Sequence, residues 1–498
     1  MNNDTIVREL PSLTANMLRE GGCLIDNLFA DLWKSMGIKA ILNRIGFNKR
    51  SGIAPPELVF CLILWSWFKV NSINMFAREA LQTFSQTQKD ALYTALNRED
   101  WNWRRLHNET ALQAVQKLGA QKMTSAFILD DSIKQRSGKK MPGVSSHFDH
   151  TSGRCVMGQQ VLTLGLGCAE GFVPLDSELF ISETKAQGLH QKFLDGRSVV
   201  AKRYRVALDQ TKPEMAESMM RRAMRARIEA AFMLADSWFC TKTMINIARE
   251  LGLTAVLRAK KNKTKYRLAE QHGDEIIYKQ LDMHELYQTC VRCKWDKIPR
   301  QNYQAKVLDV ELNLNDEKKG AAKWLKVRLL FVRGIKIDDE KAQAGKHDWA
   351  VFLTTDITLE PQRILELYAM RWSIEVYFKE AKQHLGFLKE QSNHYAAYVA
   401  SIHLAAIRFC MLVVGKCLHN ASGICDVRKQ LTANVASINY ATQLWQVFRA
   451  IITGALDEMK ALLGELMDQV METIERHVQT FFVQALQLDT RTMRLESQ

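Results

Sequence analysis

The sequence predicts an α/β protein: a mixed sheet with helices on both faces, interrupted by a β-rich insertion and flanked by helical N- and C-terminal regions. Three observations predict it. Between residues 126 and 257, short apolar runs and helical stretches follow in the order strand, strand, strand, helix, strand, helix, strand. From 262 to about 345 strand-like patterns dominate, and from 349 the α/β texture returns before long amphipathic stretches close the chain. With 498 residues, 47% of them hydrophobic, the chain can bury large cores, which excludes a disordered tail protein and a small stapled scaffold.

Residues 1–120 read as mainly helical. Pro55-Pro56-Glu57 opens a helix over 58–70, and Ser72 caps the next. That pair suits either a helix-turn-helix or ordinary core helices. Residues 121–261 form the first part of the α/β core. Its first strand, 126–129, ends abruptly in Asp130-Asp131-Ser132; strands follow at 156–166 and 171–180, then a helix over 213–230, a strand ending in Asp236-Ser237, a helix over 241–251 and a strand at 254–257. The insertion, 262–347, offers strands at 275–278, 305–312 and 325–332. The second part of the core, 348–425, carries a strand at 349–355, one long helix from 361 to about 384 that Gly386 can end, and a helix over 396–418. In 426–498, Leu456, Met459, Leu463, Leu466, Val470 and Ile474 recur at spacings of three and four, which predicts an amphipathic helix for packing or dimerisation.

The ten cysteines mostly sit in apolar segments, as reduced core residues do. Cys290 and Cys293 have ligand spacing but only His284 nearby, so zinc is set aside. The apolar runs at 58–68 and 396–414 are respectively too short and interrupted by His403 and Arg408, so no membrane span is expected, and without a secretory pattern at the N-terminus the expected location is the cytoplasm.

The net charge is +14, from 68 Lys plus Arg against 54 Asp plus Glu. It is uneven: residues 201–267 hold 16 basic and 6 acidic residues, including Lys202, Arg203, Arg205, Arg221, Arg222, Arg258, Lys260 and Lys261. One such cluster is often a solvated helix face. Three in one window favour a polyanionic partner, because phosphate binding releases counterions. Residues 455–498 reverse the balance, with eight acidic and four basic residues, and are not expected to lie on DNA.

Two apolar strands each deliver a carboxylate followed by Ser, at Asp130-Asp131-Ser132 and Asp236-Ser237. Such a carboxylate caps a helix, pairs with a base or holds a metal. A third group lies on a helix, where Tyr368, Arg371, Glu375 and Lys382 fall within an arc of about 60° at 100° per residue. That stripe suits a solvated face held by pairs such as Arg371 with Glu375, or a metal-ligating Glu among phosphate-binding partners.

The spacing Tyr-x2-Arg-x3-Glu-x6-Lys, met without a gap by Tyr368, Arg371, Glu375 and Lys382, resembles the signature of one branch of the DDE transposases of bacterial insertion sequences. The resemblance covers about residues 121–420 and implies a ribonuclease-H-like core. It implies Asp130, Asp236 and Glu375 as catalytic metal ligands, with Asp131 as the alternative to Asp130; the family's Asp-x-Ser pattern favours Asp130. Two Mg²⁺ ions are implied, with Mn²⁺ as a substitute. Tyr368, Arg371 and Lys382 would contact DNA together with the basic Arg258, Lys260 and Lys261. Trp349 is similar to a tryptophan that holds a flipped base, and Trp372 to an aromatic beside the signature Arg. The implied partners are double-stranded DNA, as the element's terminal inverted repeats and its target, and a second copy of the chain in a homodimer. The implied setting is the bacterial nucleoid, with residues 1–120 binding DNA. The implied reaction cuts the element's ends and joins the 3′-OH to target DNA, as in cut-and-paste transposition. An inactive DNA-binding relative acting as a regulator, and a metal-dependent DNA nuclease, stay open as alternatives.

Overall fold

The computed structural model describes residues 28–477 except 69, 139–140, 150–152, 182–190, 273–274, 300–302, 316–320, 335–348, 460–463, 471 and 475–476. The N-terminal region is helical, with α1 (Leu28–Ser35), α2 (Ile38–Ile45), α3 (Pro55–Leu64), α4 (Ile73–Glu79), α5 (Leu81–Phe84), α6 (Lys89–Leu96) and α7 (Trp103–Leu118). Local chemistry sets their ends. Prolines open α3, the Ser72 hydroxyl accepts from Met75 N–H to cap α4, and the Asn102 side chain accepts from Arg105 N–H to cap α7. Every residue from Leu58 to Leu64 is buried, so α3 is a core helix.

The sheet is built from β1 (Ala126–Gln135), β2 (Ser145–Asp149), β3 (Arg154–Cys168), β4 (Gly171–Phe180), β5 (Phe232–Ala235) and β6 (Thr254–Arg258), with α8 (Val199–Asp209), α9 (Lys212–Arg225) and α10 (Lys242–Glu250) between them. β1 pairs antiparallel with β3, and β3 with β4, whereas β1, β5 and β6 run parallel. Parallel neighbours need a crossover, and the helices supply it. The resulting order β4-β3-β1-β5-β6 is the ribonuclease-H-like arrangement.

The insertion contributes β7 (Tyr266–His272), β8 (Glu275–Leu281), α11 (Met283–Val291), β9 (Asp296–Lys297), β10 (Tyr303–Asn313) and β11 (Trp324–Gly334), and β12 (Trp349–Thr354) follows it. β12 returns antiparallel to β6, so the insertion prolongs the core sheet in the order β6-β12-β11-β10-β7-β8. The chain then runs through α12 (Pro361–Ala369), α13 (Trp372–Gln383), α14 (Tyr395–Leu418) and α15 (Ile424–Glu458).

Several elements differ from expectation. β1 does not stop at Asp130: fifteen-residue β3 keeps it paired out to Gln135, and only the parallel pairing with β5 ends, at Leu129 opposite Ala235. The long helix from 361 is two helices, because Met370 and Arg371 bond back three residues, to Leu367 and Tyr368, and this tighter winding breaks the α-helical register. β7 and α11 were not anticipated. At the C-terminus, α15 ends at Glu458, Met459 and Leu466 are exposed, and Leu463 lies outside the described residues.

Helix α14 is the hub. It is long and apolar enough to cross a membrane, yet every residue from Tyr395 to Gly415 is buried inside the fold. The Arg408 guanidinium on it donates to the carbonyls of Ile63 (3.0 Å), Leu62 and Leu385 (2.6 Å), tying the N-terminal helices to the C-terminal half. A buried polar network repeats the tie at β4. Asp176 pairs with Arg222 (2.7 Å) and Arg104 (3.2 Å), and Glu178 with Arg203 (2.8 Å) and Arg104. Arg203 Nη1 donates to His403 Nε2 at 2.6 Å, which leaves His403 Nδ1 to donate to His107 Nδ1 (3.0 Å) and His107 Nε2 to donate to the Pro174 carbonyl (2.9 Å). A bulge in β4 opposite Leu164 and Gly165 frees that carbonyl from the ladder.

Candidate active site

The point where β1 and β5 part gathers the predicted carboxylates. Asp130 follows the last β1–β5 pair, and Asp236 follows the last residue of β5. Asp130 Oδ1 accepts from Asp131 N–H at 2.8 Å, and Oδ2 accepts from Arg371 Nη1 at 3.1 Å. Nη2 of the same guanidinium pairs with Glu375 Oε1, one turn further along α13. The break between α12 and α13 puts Arg371 at the N-cap of α13, where it reaches across to β1 and along its own helix at once.

The electrostatics are those of crowded carboxylates. Burial and the nearby Asp236 charge push Asp130 up to about 7, against the pull of Arg371. Burial also raises Asp236, although its side chain accepts from Trp238 N–H at 3.0 Å and so caps the turn that follows β5. Asp236 therefore does the ordinary capping job and still faces the cleft. The pair calls for positive charge, which Arg371 supplies here.

Asp131 alternates with Asp130 along the strand and, although it lines the same cavity and acts on Asp236, it has partners of its own. Its Oδ1 accepts from Gln160 Nε2 (2.7 Å) and its Oδ2 from Lys212 Nζ (2.7 Å), so both oxygens are engaged away from Glu375. Lys212 packs against the rings of Phe180 (5.0 Å) and Trp238 (4.4 Å). Asp130, Asp131, Asp236, Lys212, Trp238 and Lys382 line one cavity of about 700 Å³.

The other predicted residues divide. Lys382 Nζ donates to the Ile133 carbonyl (2.9 Å) at the cavity wall. Tyr368 lies under the Arg371 guanidinium, 5.6 Å away, and packs on Phe352. Arg258 is exposed at the end of β6 and close enough to act on the Tyr368 phenol, and Lys260 lies 6.0 Å from the Trp238 ring. Trp372, 64% exposed, opens α13 on the surface. Trp349 is not with this group: it is buried, stacked on Tyr287 at 4.2 Å, with the Lys261 ammonium 4.1 Å from its ring.

The basic window proves less available than its count suggests. Arg203 and Lys212 are buried, and Arg222 is spent on Asp176, so these cations hold the fold together. Lys202, Arg205 and Arg258 remain exposed. Sequence reasoning missed Lys212, Gln160 and Trp238. Trp238 had a signal, standing two residues after Asp236; Gln160 had none, since only strand pairing brings it to Asp131.

Among the described residues, no three His, Cys, Asp or Glu side chains stand close enough to grip a metal ion. The donor chemistry nonetheless fits a hard divalent cation: three carboxylates, two of them raised chiefly by burial, with one guanidinium that pairs with Asp130 and Glu375 and meets the same charge demand.

Comparison with known families gives two overlapping matches. Residues 71–279 match a family model described as DDE superfamily endonuclease, and residues 195–411 match one described as transposase DDE domain. No curated protein matches the chain.

Proposed function

The chain belongs to the DDE superfamily of transposases and endonucleases, and from that premise we propose that it is a DNA transposase that cuts at the ends of an insertion sequence and joins the freed 3′-OH to target DNA. The observation that carries this reading is Arg371, which binds Asp130 on β1 and Glu375 on α13 while Asp236 stands near enough to raise Asp130. Side chains 106 and 139 residues apart along the chain, counting from 130 to 236 and from 236 to 375, have little other reason to crowd together.

In this reading Asp130, Asp236 and Glu375 hold two divalent cations, Mg²⁺ or Mn²⁺, with Asp131 kept out by Gln160 and Lys212. The cations supply charge stabilisation to the attacking and leaving oxygens of an in-line phosphodiester displacement. The protein's own groups do the positioning. Arg371, released from the carboxylates, turns its fork to a phosphate; Lys382 at the cavity wall and Tyr368 beneath Arg371 fix the strand beside it; and exposed Arg258 and half-buried Lys260 hold flanking phosphates without reading sequence. The DNA partners are the element's terminal repeats and its target, and the working form is a homodimer.

The test uses purified full-length protein with a labelled donor end and Mg²⁺. Asp236→Ala and Glu375→Ala each lose cleavage by at least 100-fold, as expected for an in-line displacement that depends on bound cations, while salt-dependent DNA binding in EDTA persists. Cleavage retained in either variant would overturn the assignment. Cleavage of the intact donor without any joining of a pre-nicked one would make the protein a nuclease instead.

A further inference from the structure

The chain leaves α13 through Gly386 (φ +75°) and Leu388 (φ +50°). Leucine is unfavourable in the left-handed region, and such residues concentrate where a structure holds something in place. Leu388 is held from two sides: its N–H donates to Ser401 Oγ (2.9 Å), and its carbonyl accepts from Arg136 Nη2 (2.6 Å), just past β1. Two residues on, Glu390 turns inward. Its Oε2 is buried and meets no hydrogen-bond partner among the described residues, and burial raises the carboxyl's pKa against the hydrogen bonding that Ser401 and its own backbone give the group. Glu390 lines a cavity of about 490 Å³ between this loop and the N-terminal helices, walled also by Trp65, Asn71, Tyr93, Asn97 and Lys389.

A buried acceptor without a donor is costly, so the cavity favours a ligand that brings one. A cationic donor is disfavoured, because Arg136 and Arg408 already act on the Glu390 carboxylate. A flat neutral N–H donor suits the Trp65 and Tyr93 walls, and two asparagines add groups that both donate and accept. Lys389 lines the cavity as well; burial and then the nearby Arg408 and Lys134 charges disfavour its ammonium, so an anion beside it would relieve that strain. A planar amino-bearing ring joined to a phosphate answers all of these demands.

We propose that this cavity is a nucleotide subsite, distinct from the carboxylate cleft, in which Glu390 accepts from the exocyclic amino group of the base. A carboxylate takes the cytosine N4 amino group and is repelled by the thymine O4. The occupant is either an unstacked nucleotide of bound DNA or a free nucleotide, and only the first source rests on the DNA reading above.

The experiment titrates the full-length protein with dCMP and dTMP, and separately with duplexes bearing a one-nucleotide C or T overhang. Cytosine is preferred about tenfold or more in at least one format. Preference for dCMP identifies a free nucleotide, and preference confined to the overhang identifies a nucleotide of DNA. Glu390→Gln, nearly isosteric, loses the preference while blunt-duplex affinity stays within about twofold, the size of change expected when no base contact is lost. Tyr93→Ala weakens whichever cytosine probe bound by about fivefold or more through lost stacking, which keeps the test open if Glu390→Gln does not fold. Equal C and T affinities in wild type, or a preference that survives Glu390→Gln, would sink the proposal. Failure to bind any duplex would instead count against the transposase reading, with the dCMP arm still deciding the cavity.

Discussion

Asp130 shows how much a single carboxyl is asked to tolerate. In the folded protein it is held at about 7, against an ordinary value of 3.8, so between those values the native state binds more protons than the unfolded chain. Metal-free stability therefore falls as pH rises through that window, and the full cost is present above it. Asp130→Asn should make the metal-free protein more stable at pH 8, by on the order of 2 kcal/mol, with the difference vanishing near pH 4; urea titrations at both pH values measure it. Arg371→Ala acts the other way. It leaves Asp130 and Glu375 without their shared counter-charge and should cost about 1–3 kcal/mol, which added Mg²⁺ recovers as a larger rise in Tm than in wild type. No rise in either protein would remove the carboxylates as a cation site. The residues of this cluster were legible because few jobs other than a cap, a pair or a metal suit a carboxylate at the end of an apolar strand. Choosing between Asp130 and Asp131 was less so. The separation depends on Gln160 and Lys212, which no local pattern connects to residue 131.

At the scale of elements, strands were easier to find than to end. The apolar run before Asp130 marked β1, but its extension to Gln135 is set by the partner strand β3 and not by its own composition. The insertion strands at 275–278, 305–312 and 325–332 fall within β8, β10 and β11, whereas β7, with Arg267, Glu270 and Gln271 in it, has too polar a sequence to be seen. The break at Met370 and Arg371 contains neither Pro nor Gly, so helical periodicity ran straight through it. Gly386 was legible as a stop, for a stronger reason than helix ending. At φ +75° a Cβ there would meet the Trp65 ring at 2.9 Å and Arg408 Nη1 at 3.1 Å. Gly386→Ala should therefore destabilise the protein by about 2–4 kcal/mol, from backbone strain plus the displaced contact, seen as a shift in urea midpoint. A shift below about 0.5 kcal/mol, the range of ordinary surface changes, would mean that the loop relaxes freely.

At the scale of the molecule, stability should be sensitive to acid. Burial holds His107 at about 4 and His403 well below its ordinary value, so both stay neutral in the fold while the unfolded chain takes up protons below about 6.5. Their contribution is complete above pH 6.5 and is lost as pH falls from 6.5 toward 4. Asp176, held at about 2 by Arg104, Arg222 and Arg203 against its burial, adds a further loss below 3.8. His107 alone should account for about 3 kcal/mol between pH 7 and pH 4; His107→Gln should flatten that part of the profile, and an unchanged slope would place the acid sensitivity elsewhere. None of this network was readable in advance, since its members come from α7, β4, α8, α9 and α14 and meet only after the chain has closed on itself.

The enclosure of α14 also governs how this protein tolerates being cut. Its sleeve is stitched from both ends of the polypeptide, with Arg408 gripping the exit of α3. A truncation that discards residues 1–120 would strip the wrapping from a 24-residue greasy rod. Such a fragment should precipitate or stick to lipid.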